Sequence, residues 1–177
     1  YAYGKPRLFE AWGHEASLLP VEHYPLMRHR METARKRSID SLSREHHAYV
    51  EAVYEEVVDR GPLAASELSD QGCSGGSSWW GRSDGKIALE RLFSTGRLVA
   101  SRRDNFIRVY DLPERVISAQ VLAAPCPDTR DAQRELLRLA AHAHGIGEAH
   151  DLADYYRIRT PQARPLLQEL VEEGQLL

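Results

Sequence analysis

Hydrophobic positions fall into helix-like stripes over much of the chain. Tyr49, Val50, Val53, Tyr54, Val57 and Val58 recur at i, i+3/i+4 spacing, which predicts an amphipathic helix over residues 49–58. Ser43 stands where an N-cap hydroxyl is wanted, and Gly61-Pro62 ends the pattern. A short second helix is predicted around residues 66–69, burying Leu68, and the Gly/Ser-rich residues 71–78 read as a loop. A third helix follows over about residues 84–94, with Leu89, Leu92 and Phe93 on one face and Gly96 as its stop. Past Gly96 the period changes to two. Residues 98–103 and 106–112 flank Asp104-Asn105, which predicts a hairpin with those two residues at its turn and Arg103 opposite Phe106. In that register Leu98, Ala100, Ile107 and Val109 face the helices, with Arg102 near the tip. Ser101, Arg103, Phe106, Arg108 and Tyr110 face outward. Three helices followed by a β-hairpin is the winged-helix order, the hairpin being the wing.

The second half repeats the scheme. Residues 132–143 form a helix burying Leu136, Leu137, Leu139 and Ala140 and ending at Gly145, and residues 151–158 form a short second helix. Thr160-Pro161 has the form of an N-cap followed by Pro at the first helical position, although Pro165 implies an irregular or later start. This third helix reaches Glu173 and stops at Gly174. Leu89, Leu92, Phe93, Gly96 and Leu98 match Leu167, Leu170, Val171, Gly174 and Leu176, every pair 78 positions apart, which argues for two copies of one unit. The expected fold is therefore mainly α with small β-hairpins, an α+β chain of tandem winged-helix (helix-turn-helix) units. Residues 1–43 are a helical or connecting segment, 44–116 the first unit, 117–128 a linker, and 129–177 a second unit ending before its wing. The first residue is Tyr1 and the last residues lie within an element, so the chain reads as a fragment.

Composition adds bounds. The 177 residues are 42% hydrophobic and 28% charged, an ordinary globular balance. No run approaches the roughly 18 apolar residues of a transmembrane helix. Cys73 and Cys126 have no CxxC spacing and make no disulfide framework, so a reduced cytoplasmic protein with no membrane partner is expected. The net charge is −3, so any nucleic-acid face must come from local segregation of charge. Segregation is present: residues 82–115 hold eight Lys/Arg against five acids, and residues 28–37 hold five against Glu32 alone. Residues 45–70 carry seven acids and only Arg60. The third helix, the wing and the 28–37 cluster are thus the candidate DNA surface, with Arg82, Lys86, Arg91, Arg102, Arg103, Phe106, Arg108 and Tyr110 as its contacts. Arg103 and Arg108 stand out as phosphate donors beside two aromatic rings. Trp79-Trp80 reads first as an anchor of its loop on the core, and second as an aromatic that touches DNA. His142 and His144 diverge by about 200° on a helix, so no metal site is expected.

The stretch Phe9-Glu-Ala-Trp-Gly-His-Glu-Ala, the His29-Arg-Met segment, Trp79-Trp80, the run from Arg103 through Asp-Asn-Phe-Ile-Arg-Val-Tyr-Asp-Leu-Pro-Glu-Arg to Val116, and Leu152-Ala-Asp-Tyr-Tyr-Arg resemble the tandem winged-helix DNA glycosylases of bacteria, the AlkZ/YcaQ type. The resemblance implies a monofunctional enzyme that excises alkylated bases, including those in interstrand crosslinks, by water-mediated cleavage of the N-glycosidic bond, without metal or cofactor. Its partner would be double-stranded, damaged DNA, and it would act as a monomer. The family's catalytic motif is Gln, a hydrophobic residue, then Gln or Asp. Gln71, Gln120, Gln133, Gln162, Gln168 and Gln175 are none of them followed in that way, so no catalytic residue is assigned. His14 and Glu15 match a family motif that implies a position lining the cleft. The alternative is a winged-helix transcriptional regulator without enzyme activity.

Overall fold

The computed structural model describes residues 7–41, 44–72 and 84–177; Ser43, Trp79, Trp80 and Arg82 lie outside them. The chain is mainly helical with small antiparallel hairpins. It begins with strands β1 (Leu8–Trp12) and β2 (Ala16–Pro20), followed by helices α1 (Tyr24–Ser41) and α2 (Arg44–Arg60). One 3-10 turn (Val21–His23) leads into α1, and a second (Ala65–Glu67) precedes α3 (Asp84–Ser94) and the hairpin β3 (Val99–Asp104) and β4 (Ile107–Asp111). The short helices α4 (Pro113–Val116) and α5 (Ala119–Leu122) lead to α6 (Thr129–His144), α7 (Ala149–Tyr155) and α8 (Thr160–Glu172). No helix among the described residues is long and apolar enough to cross a membrane.

Two apolar clusters form, and β3 stands between them. Leu98 and Ala100 join Val53, Val57, Leu89, Leu92 and Tyr110 in the cluster built by α2, α3 and the wing. Val99, on the opposite face of the strand, joins Leu136, Leu137, Leu170 and the rest of the α6–α8 cluster. This is the period-two alternation of a strand with both faces covered.

Residues 1–43, expected as a helical or connecting segment, contain a hairpin besides helix α1. Residues 8–20 form a hairpin, with Phe9 opposite Leu19 and Glu10 opposite Leu18. Phe9, Ala11, Leu19 and Met27 are buried in the α6–α8 cluster, and the Phe9 ring meets Tyr24 edge-on at 5.3 Å. Both faces of β1 are occupied, Phe9 and Ala11 on one and Glu10 on the other, so the segment shows none of the apolar-polar alternation of a half-exposed strand. Residues 117–128 also differ from a plain linker, because they include α5 and bury Ile117 in the same cluster.

The repeated helix ends have one geometry. Gly96 and Gly174 adopt φ of 70° and 71°, the left-handed conformation that glycine adopts without a Cβ penalty. The Arg97 amide donates to the Leu92 carbonyl at 3.0 Å, and the Gln175 amide to Leu170 at 2.8 Å. The Leu98 and Leu176 amides close on the same two carbonyls at 3.2 and 3.1 Å. In α8 the N-cap is Arg159, one residue earlier than expected, and the helix runs straight through Pro165. The carbonyl that Pro165 leaves without a helical donor is that of Pro161, on the exposed face where water reaches it.

The wing register departs from the expected one by a residue. Asp104 pairs with Ile107 and Arg103 with Arg108, which leaves Asn105-Phe106 as the two-residue turn. Both turn residues have positive φ, 47° and 69°, as a type I′ turn demands. An irregularity at Ser101, between Ala100 and Arg102, then resets the alternation, so that Ala100, Val109 and Tyr110 are all buried. Ile107, expected in the core, is 54% exposed beside the tip.

Candidate nucleic-acid interface

Helix α3 and the wing enclose a groove of about 440 Å³, bordered by Lys86, Glu90, Phe106, Ile107 and Arg108. The apolar stripe of α3 (Ala88, Leu89, Leu92, Phe93) faces inward, which leaves Lys86 and Ile87 exposed on the outer face. Helix α1 lies alongside. Ala34, Arg37 and Ser38 share a surface with Ile87 and Arg91, and Arg91 Nη1 reaches Ser38 Oγ at 3.5 Å. Arg37 of the α1 cluster is thus brought beside the outer face of α3. The exposed Arg28 and Arg35 instead line a separate surface with Gly96, Pro113 and Glu114, and Arg35 donates to the Thr95 carbonyl at 3.2 Å. Arg30 is the exception in that cluster. Its guanidinium donates to the carbonyls of Trp12 (2.8 Å), Gly13 (3.3 Å) and Tyr156, and burial pushes its pKa down.

The expected outward face of the wing is corrected on three residues. Tyr110 is buried, and its hydroxyl donates to Glu90 Oε1 at 2.9 Å. The side chain of Arg108 is 10% exposed and binds both oxygens of Glu90 at 2.7 and 2.9 Å, while its Nε donates to Glu10. Its guanidinium carbon lies 4.8 Å from the centre of the Phe93 ring and 5.5 Å from that of Trp12. Arg103 is held as well, through Nε to Glu10 Oε2 at 2.9 Å and a second contact to Oε1. Two arginines facing each other across a hairpin would repel. Here the carboxylate of Glu10, only 4% exposed, lies between them and removes the conflict.

Electrostatics follow from this arrangement. Burial opposes ionisation of Glu10, yet the Arg103 and Arg108 guanidiniums outweigh it and hold the carboxyl below its usual range. Burial lowers the pKa of Arg108, but Glu10 and Glu90 outweigh it and the group stays charged. Burial and then the Glu90 carboxylate push the Tyr110 phenol up. Glu10 is thus a fixed anion and not a proton donor. It is also the residue that sequence reasoning passed over. The signal was a carboxylate inside the apolar run Leu8-Phe9-Glu10-Ala11-Trp12, where burial demands a cationic partner.

His14 and Glu15 sit at the tip of the first hairpin, away from the residues of the α3–wing groove, and they brace it on α7. His14 Nε2 lies 3.1 Å from Asp154 Oδ2, and Arg157 donates from Nε to the His14 carbonyl at 3.0 Å and from Nη2 to Glu15 at 3.4 Å. Arg157, then His14, hold the exposed Asp154 carboxyl below its ordinary value. Arg102 is exposed and pairs with Asp104 at 3.1 Å. Among the described residues no group of three His, Cys, Asp or Glu is arranged to hold a metal ion. The arrangement is suited to docking a polyanion over α3 and the wing tip.

A family model described as "DNA glycosylase AlkZ-like" matches residues 1–177. Among solved structures, the DNA glycosylase AlkZ of Streptomyces sahachiroi is similar with a TM-score of 0.57 at 16% identity. The match covers 94% of this chain and 48% of that one, so the chain spans about half the length of the relative.

Proposed function

Because the chain belongs to the AlkZ-like DNA glycosylase family, we propose that it is the DNA-docking portion of a monomeric cytoplasmic enzyme that hydrolyses the N-glycosidic bond of alkylated or crosslinked bases. Residues 44–116 act as a winged-helix unit laid on duplex DNA, and residues 129–177 as a second copy of its helical part. The observation that supports the docking role is the meeting of α3 and the wing tip in one groove, with Arg37 of α1 beside the outer face of α3. Lys86, Arg91, Arg102 and Phe106 are its contacts, and Arg82, outside the described residues, precedes Lys86 by four positions in the sequence. Arg103 and Arg108 act indirectly, by fixing the wing. His14 and Glu15 act as the brace that sets the hairpin against α7. No catalytic residue is assigned within residues 1–177.

Phosphate contacts release counterions, so each one lost flattens the plot of log affinity against log salt by about 0.9 on duplex DNA. Lys86→Ala combined with Arg102→Ala should flatten that slope and weaken binding alike on every sequence. Wild-type affinity should be greater for duplex carrying N7-alkylated guanine than for undamaged duplex. No affinity for duplex at low salt, or an unchanged slope in the double variant, refutes the docking face.

A further inference from the structure

We propose that Phe106 is a wedge that enters the base stack of the bound duplex. This rests on the reading that the α3–wing face docks duplex DNA. Four observations on one turn carry it. The Phe106 side chain is 91% exposed, and Ile107 beside it is 54% exposed, so the tip is an apolar point on a hairpin whose other exposed side chains are polar. Phe106 holds φ of 69° at the second position of a tight turn. Glycine fits that position without penalty, whereas a bulky side chain there is strained, and such strain persists where function requires the residue.

The third observation is mechanical. Arg103 Nη1 donates to the Phe106 carbonyl at 2.7 Å, while its other nitrogens grip Glu10 in β1. A wedge works only if the load of unstacking is not relieved by bending its support. Here the tip is tied through one guanidinium to a buried carboxylate in a second hairpin. The fourth is charge: Arg102 is exposed on β3 near this tip, and Lys86 faces the same groove, so the apolar point is flanked by cations suited to backbone phosphates. A wing that only covered phosphates would need polar or basic residues at its turn. Apolar side chains inserted between base steps are the general means by which proteins unstack and kink duplex DNA, and unstacking is the first step in bringing a base out of the helix.

The 177-residue chain is titrated onto short duplexes carrying 2-aminopurine at successive positions, whose fluorescence rises on unstacking. Wild type should give a rise at one step. Phe106→Gly should abolish the rise and weaken binding about tenfold, a loss within the range of one base-stacking contact. It should leave the salt slope unchanged, because phosphates set that slope. Relief of the positive φ should raise its Tm by about 2–4 °C, so a folding defect cannot account for the loss. Phe106→Leu, still an apolar wedge, should keep the rise. A wild type that binds with a full salt slope but gives no rise at any position overturns the wedge and leaves the docking face intact, as does a Phe106→Gly variant that retains the rise. A wild type with no affinity for duplex at low salt overturns both.

Discussion

Glu10→Gln keeps the shape of the side chain and removes the charge that Arg103 and Arg108 share. In the native chain this carboxylate accepts from Nε of Arg103 at 2.9 Å, from a second Arg103 nitrogen and from Nε of Arg108, with 4% of the residue exposed. Removing one partner of a buried ion pair typically costs about 3–5 kcal/mol. Two features reduce that figure here: the Arg103 side chain is 32% exposed and can turn toward water, and Arg108 retains both oxygens of Glu90. A loss of about 2–3 kcal/mol follows, which for a chain of this length lowers Tm by about 5–10 °C. The pH dependence gives an independent check. The folded pKa of Glu10 lies below its ordinary value of 4.5, so its contribution is complete above that value and is lost as pH falls through the folded pKa. The stability gap between wild type and Glu10→Gln should be constant near neutrality and close in acid. Urea denaturation followed from about pH 7 down to about pH 3 measures it. A variant within about 0.5 kcal/mol of wild type at neutral pH, or a gap that widens in acid, would refute the view that Glu10 holds the wing to the first hairpin.

Two further outcomes test the wing register and the repeated cap. Leu98→Ala should cost about 2–5 kcal/mol because it empties a fully buried position, whereas Ile107→Ala, on the exposed tip, should change stability by less than about 0.5 kcal/mol; similar losses for both would restore the register in which Ile107 is core. At Gly174 an added Cβ meets nothing within 4 Å, so Gly174→Ala should cost only the left-handed backbone penalty of about 1–2 kcal/mol. At Gly96 it lies 2.5 Å from Met31 Sδ, so Gly96→Ala should cost more by chemical denaturation, and equal costs would show that α1 gives way freely.

Elements whose signal is local were legible in the sequence. Helix α3 was bounded by its own stripe and by Gly96, and the second copy of its cap was found from spacing alone, because a left-handed glycine and the leucine carbonyl it exposes are short-range features. Features that depend on distant partners were not legible. The first hairpin has one face against α-helices that follow much later and the other toward the wing, so its sequence carries no half-exposed alternation. The turn was assigned to Asp104-Asn105 because both side chains tolerate positive φ, yet the fold accepts strain at Phe106 to make Asn105-Phe106 the turn.

The same limit shaped the reading of the site. Arginines alternating with aromatics on a strand look like a phosphate-binding face, and charge counting cannot tell a cation awaiting a ligand from one already paired. Arg103 and Arg108 find their anion 93 and 98 residues away in Glu10, and the cross-strand register that sets them side by side is what makes one carboxylate sufficient for both. The basic residues nearest the core thus set the position of the wing, and under the proposed function the outermost ones, together with Phe106, are those that would meet DNA. Under this division, substitution of Arg108 weakens DNA binding through loss of wing order, and substitution of Arg102 weakens it through loss of a phosphate contact; only the second changes the salt slope.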